Sequence, residues 1–439
     1  MKLFTKRTLA LAVGLTMPAA AFATNGMFMI GFGAKSIGMG GAGVAYAQDG
    51  LSSATNPANL QLVGSRFDLD VGLFSPRASA TLGGIESKSV IGLGGDEGSP
   101  KWDDLYLMPA IAWVKNKGDW SYGFNFVPVG GGGSNYSKNL YDLNQNPLHT
   151  PTGGTDTGNL GVSLFIAQFN PTIAYAFDKK NSVGASLVVG MQRFVAYGLG
   201  NFTTFTASGN ADHLTNNGED WSYGLGVRVG WTGKYLADDR LTLGASATSK
   251  VYNRRFHEYS ELFAGHGSFD TPANWIIGAA FKATKKATVA FDIERYLYSG
   301  VPAIANPGPN TSGGLYPVSK SVNALGLDGG LGFGWHDQTV YKIGLNYDLN
   351  PKWTVRGGWN YGKSPIDQSS QIAFNIVAPA TTQNHLTLGG TYRSSQTLEW
   401  NFAYMHAFTF KQYGPTYIGN SGSIQMQQDS FDVSVGYKF

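Results

Sequence analysis

Arginines in segments that carry little other charge are the residues best suited to bind a ligand. By alternation, Arg228 and Arg356 each fall on the face of a segment opposite to its apolar residues. A guanidinium presents a planar fork of donors that matches a carboxylate, so an enclosed arginine would hold the acid group of an amphipathic molecule. The alternative is pairing with acids on the same inward face, such as Asp292 and Glu294. If no cationic side chain lines the ligand pocket, an uncharged ligand is favoured.

Motifs for other chemistries lack their required context. The run Gly38 to Gly43 matches G-x-G-x-x-G, but no strand precedes it and no acidic residue follows about twenty positions later. The seven histidines show no metal-ligand spacing, and His257 and His266 of one loop are interpreted as exposed polar residues. No G-x-S-x-G elbow is present, although a Ser/His pair assembled in space stays open. We therefore expect no cofactor, no metal ion and no catalytic residue.

The composition is typical of a transmembrane β-barrel. Of the 439 residues only 14% are charged, while 13% are aromatic and 60 are glycine; soluble domains average about 25% charged residues. Mean hydropathy is −0.14, because lipid-facing apolar residues alternate with small or polar ones that face the lumen. A net charge of +3 gives no reason to expect nucleic acid. The absence of cysteine excludes disulfides.

Residues 1–23 are predicted to be a signal peptide. Lys2, Lys6 and Arg7 form a basic start, Leu9 to Leu15 is a short apolar run, and Ala21 to Ala23 is an A-x-A cleavage site. The apolar run is too short to span a bilayer. The alternative is an N-terminal anchor.

Beyond Ser65 the hydrophobic pattern has period 2, which predicts an all-β chain of about fourteen antiparallel strands in residues 66–439. An even strand number and alternating short and long connections are features of bacterial outer-membrane barrels, whose short turns face the periplasm. Phe439, after alternating apolar residues, resembles the C-terminal signature read by the barrel assembly machinery. A soluble β-sandwich is the alternative, but the inward faces are too small and polar for its core. The predicted long connections are residues 81–104, 130–159, 199–220, 257–271, 298–337, 363–382 and 411–429.

Residues 24–65 are predicted to form a compact plug inside the barrel, the hatch. This segment is rich in Gly, Ala and Ser, has no sustained hydrophobic period, and ends with the motif Asn56-Pro57-Ala58. Its glycines would let the backbone pack tightly and turn freely. Its most apolar residues either line an inner pocket, where methionine adapts to varied ligands, or fill the lumen as ordinary core. They are Met27, Phe28, Met29, Ile30 and Phe32.

A second apolar cluster lies in two predicted external loops. Tyr259, Leu262 and Phe263 have the i, i+3, i+4 spacing of a short amphipathic helix. Phe202 and Phe205 occupy the neighbouring loop, together with Leu214. An exposed apolar cluster marks a binding surface, here an outer groove, unless the residues only pack the loops together.

Four segments together resemble the FadL/TodX family of outer-membrane transporters for long-chain fatty acids and hydrophobic hydrocarbons, over essentially the whole mature chain. They are the Gly/Ala-rich segment ending in Asn56-Pro57-Ala58, Asn170-Pro171-Thr172-Ile173-Ala174-Tyr175, Pro272-Ala273-Asn274-Trp275, and Trp353-Thr354-Val355-Arg356-Gly357-Gly358 with Ser364-Pro365. The resemblance implies a fourteen-stranded barrel with an N-terminal hatch, an outer groove, an inner pocket near the N-terminus, and an exit at an inward kink of the third strand.

The resemblance also aligns Arg193 with a carboxylate-binding arginine of the family. The parity of Arg193 follows Val189 and Met191, which are predicted to face lipid. Either a bulge reverses its face, or Arg193 lies above the membrane and does not take that role.

The resulting functional hypothesis is passive, ligand-gated transport of fatty acids or of aromatic or aliphatic hydrocarbons, with lateral exit from the barrel. The alternatives are a receptor or adhesin barrel with a closed hatch, and an outer-membrane hydrolase. The expected partners are a hydrophobic small molecule, outer-membrane lipid, lipopolysaccharide and the barrel assembly machinery. The resemblance implies a monomer in the outer membrane of a Gram-negative bacterium.

Overall fold

The computed structural model describes residues 25–89, 106–141, 159–309, 319, 321–367, 371–415 and 421–439. The predicted signal peptide, residues 1–23, lies outside these ranges.

Fourteen antiparallel strands form one closed barrel, which confirms the predicted fold class. Each strand pairs with its neighbours in sequence, and the first pairs with the last from Arg66 opposite Lys438 to Leu82 opposite Gly422. Two further short strands, Ile85–Lys88 and Tyr252–Asn253, pair with the barrel strands Arg66–Leu82 and Asp220–Tyr235. The barrel strands are β1 Arg66–Leu82, β2 Tyr106–Lys117, β3 Trp120–Tyr136, β4 Leu160–Ala176, β5 Asn181–Tyr197, β6 Asp220–Tyr235, β7 Leu241–Thr248, β8 Ala273–Lys282, β9 Ala287–Leu297, β10 Gln338–Asp348, β11 Trp353–Gly362, β12 Asn384–Arg393, β13 Leu398–Pro415 and β14 Ser421–Lys438.

Alternation along each strand divides the barrel into an apolar outer face and a small or polar inner face. On β6, Leu225 and Val227 are 57% and 55% exposed, whereas Ser222 and Arg228 are buried. Large apolar side chains that point away from a protein need a hydrocarbon solvent, so the outer face is the lipid face. A sandwich would instead cover these residues with a second sheet.

Helical structure is confined to short segments. Among the described residues, no helix is long and apolar enough to cross a membrane. The α-helices are α1 Gly33–Ile37, α2 Leu60–Val63, α3 Ala264–Gly267 and α4 Pro302–Ala305. The 3-10 helices are Gly50–Ala54, Pro57–Asn59, Gly200–Phe205, Ala237–Asp239, Tyr298–Gly300 and Phe374–Ile376.

The predicted long connections 81–104, 130–159 and 411–429 are partly strand. The first contains the short strand Ile85–Lys88, β3 continues to Tyr136, and the strands β13 and β14 reach Pro415 and Ser421. The run Gly130 to Gly133 indicated a loop because glycine is depleted in strands. Here each of these glycines pairs with a residue of β4, from Ile166 back to Ser163.

Residues 25–65 lie inside the barrel, against glycines of the inner wall. A Cβ on any of six such glycines would lie 2.1–3.0 Å from a hatch backbone atom, so the wall must be bare backbone at these positions. They are Gly130, Gly184, Gly244, Gly344, Gly358 and Gly389. Within the hatch, Gly41 has a φ of +80°, and a Cβ there would lie 1.8 Å from the Ile30 carbonyl oxygen. This supports the packing role predicted for the hatch glycines.

Candidate functional site

The barrel wall is open between β2 and β3 above Phe126. Below this point the two strands pair from Ile111 opposite Phe126 to Lys117 opposite Trp120. Above it, the described residues of β2 pair with β1 and those of β3 pair with β4, but the two strands no longer pair with each other. A register shift between Pro128 and Gly130 accompanies the separation. Proline lacks a ladder donor and a bulge bends its strand, so the local sequence favours this parting.

The first described residues of the hatch occupy the free edge of β3. Residues 25–32, the leading segment, pair with it through the Met29 N–H, which donates to the Val129 carbonyl over 3.0 Å, and the Gly131 N–H, which donates to the Met27 carbonyl over 2.9 Å. A Cβ on Gly130 would lie 2.1 Å from the Met27 oxygen. The leading segment therefore closes the gap in the manner of a short extra strand.

Two tyrosines of the opposite wall hold the other side of the leading segment. The Tyr298 hydroxyl accepts from the Met27 N–H at 3.2 Å and donates to the Asn25 carbonyl at 2.8 Å. The Phe28 ring stacks on Tyr296, with centroids 4.4 Å apart and planes 9° apart. Both tyrosines were missed by sequence reasoning. The inward parity of Tyr296 with Asp292 and Glu294 was the signal that could have identified it.

A cavity of about 420 Å³ lies directly above the leading segment and reaches the glycines of the open edge. We call it the middle cavity. None of its described lining residues is charged, and it gives an apolar molecule direct access to the gap. The lining residues are Met27, Gly131, Gly132, Val162, Leu164, Phe194, Phe263, Phe269, Ile304, Phe333, Trp335 and Ala378.

A second apolar cavity of about 420 Å³ lies among the external loops. This outer cavity shares four lining residues with the middle cavity, so the two are neighbours along one path. The shared residues are Val162, Phe194, Phe263 and Phe333. The other lining residues are Leu199, Phe202, Leu262, Ala303, Leu325, Leu331, Gly332, Phe374 and Val377.

Of the residues predicted for the outer groove, Leu262 is half-buried and the other four are buried rather than exposed. Phe202, Leu262 and Phe263 line the outer cavity. Phe205 packs on Phe202, with centroids 5.8 Å apart, and Tyr259 packs on Phe194. The predicted short helix at residues 259–263 is a turn, so that prediction was wrong. Tyr259 and Phe263, four residues apart, both pack on Phe194 although the segment between them is a turn and not a helix.

The inner cavity lies on the other side of Phe28 and is far more polar. It has a volume of about 560 Å³ and is lined by the predicted residues Phe28, Ile30 and Phe32. The fourth predicted inner residue, Met27, faces the middle cavity instead. The polar lining residues are Thr55, Gln168, Arg228, Thr248, Thr271, Asn274, Glu294 and Lys342.

Arg228 has the predicted inward face and lies in the inner cavity. Its Nε donates to the Thr248 hydroxyl at 2.9 Å and its Nη2 to the Gln168 amide oxygen at 3.1 Å. Within the described part of the chain, its Nη1 has no hydrogen-bond partner. The expected competitor, Glu294, pairs instead with Lys342 at 2.6 Å. One guanidinium nitrogen is therefore available to an anionic group.

The other two arginines lie away from this cavity. Arg356 faces inward but donates to the Gln48 amide oxygen at 2.7 Å and to the Thr391 hydroxyl at 2.8 Å, which joins hatch to wall. Arg193 pairs with Glu219, on the face of β5 opposite to the cavity-lining Phe194. The register between β5 and β6 is continuous through Arg193, so the bulge that would turn it inward is absent there.

The hatch motif joins the hatch to the wall. Asn56 donates to the Val44 carbonyl at 2.8 Å and to the Trp231 carbonyl at 3.0 Å. Its Oδ1 accepts from the Ala58 N–H at 3.1 Å, capping the 3-10 helix that Pro57 begins. A Cβ on Gly230 would lie 2.0 Å from this oxygen. The motif thus packs against two glycines of the wall, Gly184 of β5 and Gly230 of β6, where a side chain would collide with it.

Buried charges hold the rest of the hatch. Lys35 pairs with Glu399 of β13 at 2.5 Å, and Arg66 pairs with the same carboxylate at 2.6 Å. Burial and the nearby Arg66 lower the pKa of Lys35 to about 8, and the Glu399 carboxylate opposes this shift. Asp292, a predicted arginine partner, instead accepts from the N–H groups of Gly43 and Val44 at 2.7 and 3.0 Å.

The chain matches one protein family and several solved structures of similar fold. The model of the family "Outer membrane protein transport protein (OMPP1/FadL/TodX)" matches residues 11–414. The P. putida toluene transporter TodX is 20% identical over 93% of this chain and 99% of its own, with a TM-score of 0.66. The Ralstonia pickettii toluene transporter TbuX is 20% identical over 93% and 99%, with a TM-score of 0.63.

A Pseudomonas aeruginosa FadL homologue is 14% identical over 96% of this chain and all of its own, with a TM-score of 0.64. No curated protein sequence matches. The family model spans most of the chain, and the barrel with its internal hatch is the fold of these structures. The protein therefore belongs to the outer membrane protein transport protein family (OMPP1/FadL/TodX) and is a β-barrel of the Gram-negative outer membrane.

Proposed function

We propose that the protein passively carries uncharged hydrophobic molecules from the cell surface through the outer and middle cavities to the gap between β2 and β3. There they leave laterally into the membrane. The observation that carries this proposal is a continuous apolar lining that ends at Met27 and Gly131, the two residues that close the gap. Transfer from water into such a path is favourable for an apolar molecule and needs no energy source.

The substrate class follows from the chemistry of this path. The described lining residues of both apolar cavities include no charged side chain. A carboxylate there would lose its hydration without gaining a partner, which costs several kcal/mol, on the order of thousands-fold in occupancy. Two of the similar structures are described as toluene transporters, and this supports a hydrocarbon substrate for this chain.

A fatty acid is the second candidate, and one observation favours it. Arg228 offers a free Nη1 to the inner cavity, next to the apolar residues Phe28 and Ile30. A fatty acid that displaced Phe28 would place its chain in the middle cavity and its carboxylate at Arg228. The roles assigned here to Met27, Phe28, Ile30, Phe32 and the outer-cavity residues belong to this proposal.

Uptake measurements decide between these candidates. Cells without a transporter of their own receive radiolabelled toluene or oleate and express the wild type or Arg228→Gln. Toluene uptake that Arg228→Gln leaves unchanged supports the hydrocarbon proposal. Oleate uptake that falls about tenfold in Arg228→Gln supports the fatty acid, since a charged hydrogen bond contributes about 1.5–3 kcal/mol.

A charge placed in the path tests the route itself. Val162 lines both apolar cavities, so Val162→Asp should reduce toluene uptake about tenfold or more by putting a carboxylate in the way. Val162→Thr, of nearly the same volume, is the matched control and should reduce uptake far less. Equal uptake by wild type and Val162→Asp, with the barrel assembled, would overturn the route.

The remaining alternatives make different predictions in the same cells. A receptor or adhesin barrel would take up neither probe although it assembles correctly. An outer-membrane hydrolase would release product from an ester without taking up hydrocarbon.

The proposal assigns the chain no catalytic role, and it keeps the division into a signal peptide of residues 1–23, a hatch of residues 24–65 and a barrel of residues 66–439. In this proposal the barrel is a monomer, and its partners are outer-membrane lipid, lipopolysaccharide and the barrel assembly machinery.

A further inference from the structure

Three side chains lie together on the two loops that supply walls of the outer cavity. His213, His257 and Glu258 each offer one ligand atom, and these atoms all lie within 4.8 Å of one another. The rings of His213 and His257 are perpendicular neighbours, with centroids 5.5 Å apart. His257 Nδ1 lies 3.2 Å from a Glu258 carboxylate oxygen. We propose that this cluster binds a divalent transition-metal ion of the zinc class from the medium.

The ligand chemistry fits such an ion. Two imidazoles and one carboxylate form the set that zinc uses when water or a further ligand completes a tetrahedron. Ligand nitrogens about 2.05 Å from a tetrahedral ion lie about 3.4 Å apart. The ligand atoms now lie within 4.8 Å of one another, and the His257 and Glu258 side chains, which are 84% and 44% exposed, have room to rotate toward this spacing. His213 Nδ1 is buried and has no hydrogen-bond partner in the described ranges.

The backbone around the three side chains is already held in place. The Glu258 N–H donates to Asp220 at 2.8 Å, and the Asn217 amide donates to the Glu258 carbonyl at 2.8 Å. The Glu261 N–H donates to the His213 carbonyl at 3.0 Å. These bonds join the two loops at the site, so metal binding would pay little for ordering the backbone.

The position of the site gives the ion a role at the mouth of the path. One ligand loop supplies Leu199 and Phe202 to the outer cavity, and the other supplies Leu262 and Phe263. An ion that joins the two loops would therefore hold together two walls of this cavity. The histidine spacing in the sequence did not indicate a metal site, because the ligands come from separate loops.

The test is a calorimetric titration of Zn²⁺ into the full-length protein in detergent, purified with a tag that contains no histidine. We expect one ion per chain, with affinity at least tenfold weaker in His213→Ala and in His257→Ala. His266→Asn is the matched control, because His266 is an exposed histidine of the same loop with a φ of +57°, which asparagine tolerates. It should change the affinity less than twofold, and Mg²⁺ should give no heat.

Hydrogen exchange provides a second readout that does not depend on calorimetry. Zn²⁺ should slow exchange in residues 254–263 of the wild type and leave it unchanged in His213→Ala. Compact migration of His213→Ala on a gel is the control that this variant has assembled correctly. Unchanged affinity in His213→Ala, or an equal loss in His266→Asn, would overturn the site. Binding without slower exchange would overturn the role of the ion in holding the loops together.

Discussion

The hatch consists of two regions that are held by different forces. Its body, residues 33–63, is tied to the wall by buried charges: Lys35 pairs with Glu399, and Asp292 accepts from the hatch N–H groups of Gly43 and Val44. The leading segment, residues 25–32, is held mainly by neutral hydrogen bonds on the free edge of β3 and at Tyr298, and by the packing of Phe28. A charged group also contributes, since the Lys342 Nζ donates to the Ile30 carbonyl at 3.0 Å.

This difference indicates which region moves. A buried ion pair that loses one partner leaves an uncompensated charge, at a cost of about 3–5 kcal/mol. A neutral hydrogen bond contributes only about 1 kcal/mol, and a ligand or a water molecule can replace it. We therefore infer that the body stays in place, and that the leading segment is the part of the hatch that a molecule in the middle cavity displaces.

The largest expected effect comes from Glu399→Gln. The substitution leaves Lys35 and Arg66 buried without their shared carboxylate, so the barrel should lose about 3–5 kcal/mol of stability. The measurement is the temperature at which the protein loses its compact migration on an SDS gel. Arg77→Gln, which removes a half-exposed pair with Asp429, should cost at most about 1 kcal/mol. Equal shifts would mean that the buried charges do not fix the body.

Substitutions of Asn56 test how strongly the hatch motif holds the body in the barrel. Asn56→Ala loses the two donations to Val44 and Trp231 and the cap on Ala58, at an expected cost of about 2–4 kcal/mol. Asn56→Asp keeps the acceptor for the cap but replaces the donating NH2 group with a carboxylate oxygen that faces the Val44 and Trp231 carbonyls. Hydrogen exchange in residues 44–59 should rise in both variants, with the cap itself retained in Asn56→Asp. Unchanged exchange in Asn56→Ala would contradict the role of the motif.

Gly130→Ala acts on the leading segment alone. The new Cβ would lie 2.1 Å from the Met27 oxygen, so the segment should leave the edge while the body keeps its ion pairs and its place in the barrel. We expect toluene uptake to increase several-fold, because displacement no longer costs the edge hydrogen bonds, about 1 kcal/mol each. Gly357→Ala is the control, since a Cβ there meets no atom closer than 3.9 Å. Lower uptake would mean that the segment guides the ligand.

The smallest expected effect is that of Tyr298→Phe. It removes the hydroxyl that bonds to Met27 and Asn25 but retains the ring. Stability should fall by about 0.5–1.5 kcal/mol, and uptake should rise in the same direction as in Gly130→Ala. Tyr404→Phe, which removes an exposed hydroxyl bonded to Asp429, should leave uptake unchanged. If the two variants behave alike, Tyr298 does not hold the segment.

The sequence predicts the parts of this molecule that depend on local alternation. The strands, their outward faces and the inward position of Arg228 follow from period 2, because neighbouring positions on a strand face opposite sides. The gap was implied only by the family resemblance, since Gly130 to Gly133 indicated a loop. The partners of Arg228 are Thr248 and Gln168, and the latter lies 60 residues away. Such pairings depend on barrel closure, which no local pattern records.

From the contacts of the bare glycine positions of the inner wall we also infer an order of folding. The hatch backbone meets glycines on six strands from β3 to β12, and Lys35 pairs with a residue 364 positions later in the chain. Contacts across such separations form only after the intervening chain is in place. The N-terminal segment, although it is made first, therefore becomes ordered last, when the closing strands complete the cavity that it fills.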